Sequence, residues 1–145
     1  MEADDRLVQK DIARAEALAI CALLRRIEEN ESATVVWQDW QEDVDLLVLR
    51  KVRAALERGL ARDRDDAQLE LTRSQALVLG DWLWRMEQSN DLAPLLAEDG
   101  SEQSALWTLD VWLELELFAE YSDRDYAALV KAARERVKID YLSAN

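Results

Sequence analysis

"RSQALVLGDWLWRMEQ", Arg73 to Gln88, decides how this chain is built. Ala76, Leu79, Trp82, Leu83 and Met86 recur at intervals of three and four residues, which is the spacing of one helical face. Leu77, Gly80 and Trp84 make a second apolar line on the far side. Trp82 and Trp84 are two positions apart and, at about 100° per residue, point about 200° away from each other. A helix with two such sides is either covered twice by its own chain or keeps one tryptophan for a partner. Trp82 is the expected core residue. Trp84 is expected beneath an additional element or, beside Asp81, as an exposed anchor, and the sequence leaves both readings open.

The stretch has a counterpart upstream. "RAEALAICALLRRIEE", Arg14 to Glu29, lies over it with a constant offset of 59 residues. Arg14 matches Arg73, Ala17 matches Ala76, Leu18 matches Leu77, Leu24 matches Leu83, Arg26 matches Arg85 and Glu28 matches Glu87. The segments that follow align at an offset of 60, "LLVLRKVRAALE" over "LWTLDVWLELEL", with Leu46 on Leu106, Leu49 on Leu109 and Val52 on Trp112. This periodicity predicts two related helical hairpins, roughly residues 14–61 and 73–120, within a single domain spanning 1–145. The competing explanation is chance likeness between amphipathic helices.

Apolar spacing predicts an all-α fold of about five helices: Asp4 to Glu29, Gln41 to Ala61, Thr72 to Gln88, Ser101 to Glu120 and Arg124 to Leu142. Turn and capping residues punctuate them at "NESAT", "RGLARDRDD", "SNDLAP", "EDGSE" and "YSDRD". The fourth helix is apolar nearly all round, through Leu106, Trp107, Leu109, Val111, Trp112, Leu113, Leu115, Leu117 and Phe118, and is therefore expected at the centre. The last has one stripe, Tyr126, Leu129, Val130, Ala133, Val137 and Tyr141, and is expected outside.

Half of the 145 residues are apolar and 34% are charged, with three Gly and one Pro, a composition of long helices rather than turn-rich sheet. The formal net charge of −13 repels nucleic acid and anionic membranes and steers basic partners inward. No apolar run reaches the ~20 residues a bilayer requires, and the N-terminus lacks a signal-like apolar segment, so a cytoplasmic location is expected. The single cysteine, Cys21, cannot form an internal disulfide and reads as a buried thiol.

Histidine is absent, which excludes Ser-His-Asp and Cys-His catalysis and His-containing metal sites. The glycines are isolated, so there is no phosphate-binding loop. Carboxylates alone remain as candidate catalysts. "EENE", Glu28 to Glu31, followed by "EDVD", Glu42 to Asp45, resembles the E-x-x-E then E-x-x-D pattern of all-α nucleotide pyrophosphohydrolases. The resemblance covers some eighteen residues and implies Glu28, Glu31, Glu42 and Asp45 as magnesium ligands on a triphosphate. A second, diffuse resemblance runs from Ser74 to Val137, through "ALVLGDWLWRMEQ", "ALWTLDVWLELEL" and "DYAALVKAARERV". There the chain looks like small uncharacterised acidic helical proteins from bacteria, which implies a self-contained helical unit and no activity.

"VVWQDWQED", Val35 to Asp43, combines two tryptophans with acids. Trp37 reads as a hydrophobic staple with Asp39 capping the next helix, while Trp40 and the acids are free to face a partner. The leading expectation is a non-enzymatic protein-binding module of the immunity, antitoxin or inhibitor kind. It would cover a basic protein or a nucleic-acid-binding enzyme, in the sharper version as a nucleic-acid mimic. Its contact residues would be Asp39, Trp40, Glu42, Asp43, Asp81 and Trp84, with no cofactor, no metal, and no direct contact with nucleic acid or membrane. The alternatives are the magnesium-dependent pyrophosphohydrolase and a structural oligomer, and a homodimer is compatible with the composition.

Overall fold

Two short strands that the helical reading did not anticipate organise the molecule. In a computed structural model, which describes residues 6–29, 44–62, 65–90, 93, 96–121 and 125–144, the chain is mostly helical with one small sheet. The order is β1 (Leu7–Ala13), α1 (Arg14–Glu29), α2 (Val44–Leu60), β2 (Asp66–Thr72), α3 (Arg73–Ser89), α4 (Ser101–Glu116), the single turn α5 (Phe118–Tyr121) and α6 (Tyr126–Ala144).

The strands form because their apolar residues alternate. In "DAQLELT", Ala67, Leu69 and Leu71 are fully buried while Gln68 and Glu70 face out. In "LVQKDIA", Val8 and Ile12 are buried on either side of the half-buried Lys10. Val8 and Ile12 are also four apart, so a helix accommodates them equally well, and over seven residues the two periods cannot be told apart. The pairing partner decides. Leu7 to Ala13 is therefore strand and not the opening of the first helix, and the expected all-α fold is corrected to a helical fold around a two-stranded antiparallel ribbon.

The register of that ribbon gives the repeat a geometric meaning. Lys10 pairs with Leu69, and these two residues lie 59 apart, the same spacing that separates Arg14 from Arg73. A residue thus faces its own repeat equivalent, which is what a two-fold axis through the middle of an antiparallel pair requires. The ends obey it too. Arg14 N donates to Asp65 O at 2.8 Å and Arg73 N donates to Arg6 O at 2.7 Å, two bonds that exchange under the same offset. Each strand runs straight into its helix. At the second junction Thr72 closes a capping box, its Oγ1 accepting from Gln75 N at 3.1 Å while Gln75 Oε1 accepts from Thr72 N at 2.9 Å.

The second helices follow with a different spacing from the 60 read off the sequence. All five buried residues of α4 (Glu102, Ala105, Leu109, Trp112, Leu113) fall on buried residues of α2 (Asp45, Val48, Val52, Ala55, Leu56) at an offset of 57. The halves interleave, since α1 packs on α4 as well as α2, and α3 packs on α2 as well as α4. Two ion pairs mark the crossings. Arg26 grips Glu102 through both nitrogens at 2.7 and 2.8 Å, and Arg85, its repeat equivalent, reaches Asp45 at 2.6 Å. Both acids are the second residue of their helix and both are buried.

The central helix is α3, not the fourth helix that all-round apolarity suggested. Nine residues of α3, from Ser74 to Met86, are buried, and it contacts both strands, α2, α4 and α6. Helix α4 leaves Trp107 68% and Leu115 75% exposed, so its second apolar side faces outward. The outer helix α6 lies on α3 and buries Val130, Ala133 and Val137 of its expected stripe, while Tyr141 at the end of that stripe is 49% exposed. Behind the ribbon, Gly59 of α2 approaches β2 so closely that a Cβ there would stand 2.6 Å from Ala67 Cβ. Only glycine permits that crossing.

Candidate functional site

Trp82 sits in the core with 1% exposure, as expected, while Trp84 is 58% exposed. The reading that placed Trp84 under the last helix is therefore overturned. Helix α6 lies instead along the side of α3 that carries Asp81 and Arg85, where Arg134 reaches both Asp45 and Asp81. Asp81, expected on the partner surface, has its carboxylate engaged by Arg85 Nε at 2.9 Å and Arg134 Nη2 at 3.3 Å, and only 15% of its side chain is exposed. It fastens α6 to the core. Asp39, Trp40, Glu42 and Asp43 lie outside the described residues.

The most exposed large apolar side chains among the described residues lie elsewhere. On α4, Trp107, Val111 and Leu115 follow one another at helical spacing, so they share one side, and Phe118 opens the single turn that comes next. Trp107, Leu115 and Phe118 are 68, 75 and 72% exposed. Solvent-facing rows of this kind are characteristic of contact surfaces. Beside the row, α3 and α4 enclose a groove of about 360 Å³. Leu83, Met86 and Leu106 give it an apolar lining, with Trp107 at one side.

Three carboxylates, Glu87, Asp110 and Glu114, border this groove. Burial raises the carboxyl of Asp110 above its ordinary range, and the neighbouring charges of Glu114 and Glu87 raise it further. No cation offsets this in α4, whose sixteen residues include Glu102, Asp110, Glu114 and Glu116 and neither Lys nor Arg. The arrangement suits a cationic side chain, which would meet the carboxylates with the Trp107 ring in the same lining. Among the described residues, no group of three or more acidic or cysteine side chains is arranged to hold a metal ion.

Sequence reasoning missed this site because it assigned Trp107, Leu115 and Phe118 to a central helix. The signal was present: a helix apolar all round is either enclosed or has one side reserved for contact. The pattern resembling a pyrophosphohydrolase fares differently. Asp45 is 0% exposed and held by Arg85 and Arg134, so it faces no open site. Of the other three residues, Glu31 and Glu42 lie outside the described residues, as does the Glu28 side chain. Cys21 is buried, its thiol pushed up to about 11 chiefly by burial and then by Glu57, which keeps it protonated and inert. No helix among the described residues is long and apolar enough to cross a membrane. Comparison of the chain with protein-family models, with curated proteins and with solved structures finds no match.

Proposed function

We propose that this chain is a non-enzymatic, acidic protein-binding module that covers a basic surface of a partner protein, in the manner of immunity proteins, antitoxins and inhibitors. The observation that carries the reading is the exposure of Trp107 and Leu115 along α4, with Phe118 just beyond its end, beside a groove bordered by Glu87, Asp110 and Glu114. Aromatic anchors supply desolvated area, and the net charge of −13 accelerates encounter with a basic partner. A nuclease or other nucleic-acid-binding enzyme is the natural class of partner, because its own site must be positive. The confinement of Asp45 weighs against the magnesium-dependent alternative.

A synthetic amphipathic helix with leucines on one face and lysines and arginines at its margins serves as the probe. The full chain should bind it, and binding should weaken at least tenfold between about 0.05 and 0.5 M salt as exposed charges are screened. Trp107→Ala should speed dissociation, and Asp110→Asn with Glu114→Gln should mainly slow association. A probe of the same apolar face with acidic margins should not bind. Equal binding of both probes, or binding indifferent to these substitutions, would overturn the assignment of this surface.

A further inference from the structure

Leu18 and Leu77 occupy the same place in the two halves of the molecule, yet Leu77 is 0% exposed and Leu18 is 51% exposed. The difference coincides with α6, which closes over α3 and has no counterpart on α1 among the described residues. Asp81, which Arg134 of α6 reaches, shares one side of α3 with Ser74, Leu77 and Val78, and the offset of 59 carries these four onto Ala22, Ala15, Leu18 and Ala19. These four residues are spaced i, i+3, i+4 and i+7, so they form one continuous apolar strip on α1. Ala15, Leu18 and Ala22 are exposed and Ala19 is partly so. Among the described residues the fold thus contains the same seat twice, filled by a helix on one side only.

Charge distinguishes what would fill the open one. At the α3 seat the acids Asp45 and Asp81 require two arginines, Arg85 and Arg134, and α6 supplies the second. At the α1 seat Ala22 stands in place of Asp81, and Glu102 is already gripped by Arg26 through both oxygens. The open seat needs no cation from its occupant. It suits a small-residue apolar helix, which describes α1 itself. Most of a chain carrying −13 repels another copy, but α1 is neutral, with Arg14, Arg25 and Arg26 against Glu16, Glu28 and Glu29.

The geometry points to self-association: the Ala15, Leu18, Ala19 and Ala22 face of α1 pairs antiparallel with the same face of a second copy about a two-fold axis. Such an interface is isologous, each copy offering one patch to its twin, and the antiparallel arrangement also opposes the helix dipoles favourably. It lies on a different helix from the α4 groove and is independent of the function proposed for it.

Sedimentation equilibrium of the full chain tests this. The mass should rise with concentration from 16.7 kDa towards twice that value. The dissociation constant should fall about tenfold between roughly 0.05 and 0.5 M salt, because screening relieves repulsion between two acidic chains. That sign is opposite to the one expected for a basic partner, so the two ideas fail separately. Ala22→Glu and, independently, Leu18→Ser should abolish association and leave the far-UV spectrum unchanged, both positions being exposed. A single 16.7 kDa species at every concentration and salt, or association that survives both substitutions, would overturn the inference.

Discussion

Arg134 of α6 and Asp45 of α2, 89 residues apart in sequence, meet at 2.7 Å over the side of α3. Asp45 also takes Arg85 at 2.6 Å, and Asp81 bridges the same two guanidinium groups. Removing one charge from such a buried set leaves the others uncompensated. Asp45→Asn should therefore cost about 3–5 kcal/mol in urea unfolding. Arg134→Met, which removes a guanidinium but keeps its apolar stem, should cost less and should release α6 first, seen as early hydrogen exchange in residues 126–144.

The Arg26 bonds hold the carboxyl of Glu102 below its ordinary range, against a smaller opposing effect of burial. In the unfolded chain that carboxyl titrates near 4.3. A depressed folded value means the pair stabilises above the unfolded value, and its contribution is lost as the pH falls through the folded one. Stability should decline on acidification below about pH 5, and Glu102→Gln should flatten that slope. Its loss at neutral pH should be about 1–2 kcal/mol, since Arg26 remains 38% exposed.

Alanine ordinarily favours a helix over glycine by about 1 kcal/mol. At Gly59 the sign should reverse. The added Cβ would meet Ala67 Cβ at 2.6 Å and Ala67 Cα at 2.8 Å, and backbone cannot swing aside as a side chain can. Gly59→Ala should destabilise by about 1–3 kcal/mol, with the ribbon amides exchanging faster than those of α3.

Leu113 and Leu115 share one helix two residues apart, at 0% and 75% exposure. Leu113→Ala should cost about 2–5 kcal/mol, as truncation of enclosed leucines does. Leu115→Ala should change stability by less than about 0.5 kcal/mol. Equal losses would mean that the outer side of α4 is covered.

Asp110 is a carboxyl whose surroundings disfavour its charge. A raised folded value makes the ionised group a net penalty at neutral pH, one that fades as the pH drops towards the ordinary carboxylate range. Asp110→Asn should raise the unfolding midpoint at pH 7 and weaken binding of the basic probe. A variant both more stable and less able to bind is the pattern expected where a fold keeps an unfavourable group for contact.

Much of this architecture was legible in the chain. The match between Arg14–Glu29 and Arg73–Gln88 located the two equivalent helices, and the stripe of Tyr126, Leu129, Val130, Ala133, Val137 and Tyr141 identified the outer one, although Tyr141 stays exposed. The strands were hidden because seven residues with Val8 and Ile12 satisfy either period, and because the charges around "ARDRDDAQ" resemble a loop. The partner of each strand lies 59 residues away, beyond the reach of a local pattern. The offset of 60 for the second helices, three residues from the observed 57, arose because apolar patterns also align when slid by about one turn. The contact surface was misplaced for a related reason. Apolar content marks which residues avoid water, and it does not say whether the chain itself or another molecule supplies the cover.

Interleaving has a consequence for biosynthesis. β1 is made first, but its only described partner strand, β2, follows 59 residues later, and α1 must wait longer still for α4. At 5–20 residues per second the ribosome leaves the first strand unpaired for roughly 3–12 s. During that time its open edge and the apolar side of α1 are available to chaperones, or to the same segment of a neighbouring nascent chain on the same message. The segment that precedes Asp66 therefore lacks the strand that completes its ribbon, and a chain arrested there should be more sensitive to protease than the full chain.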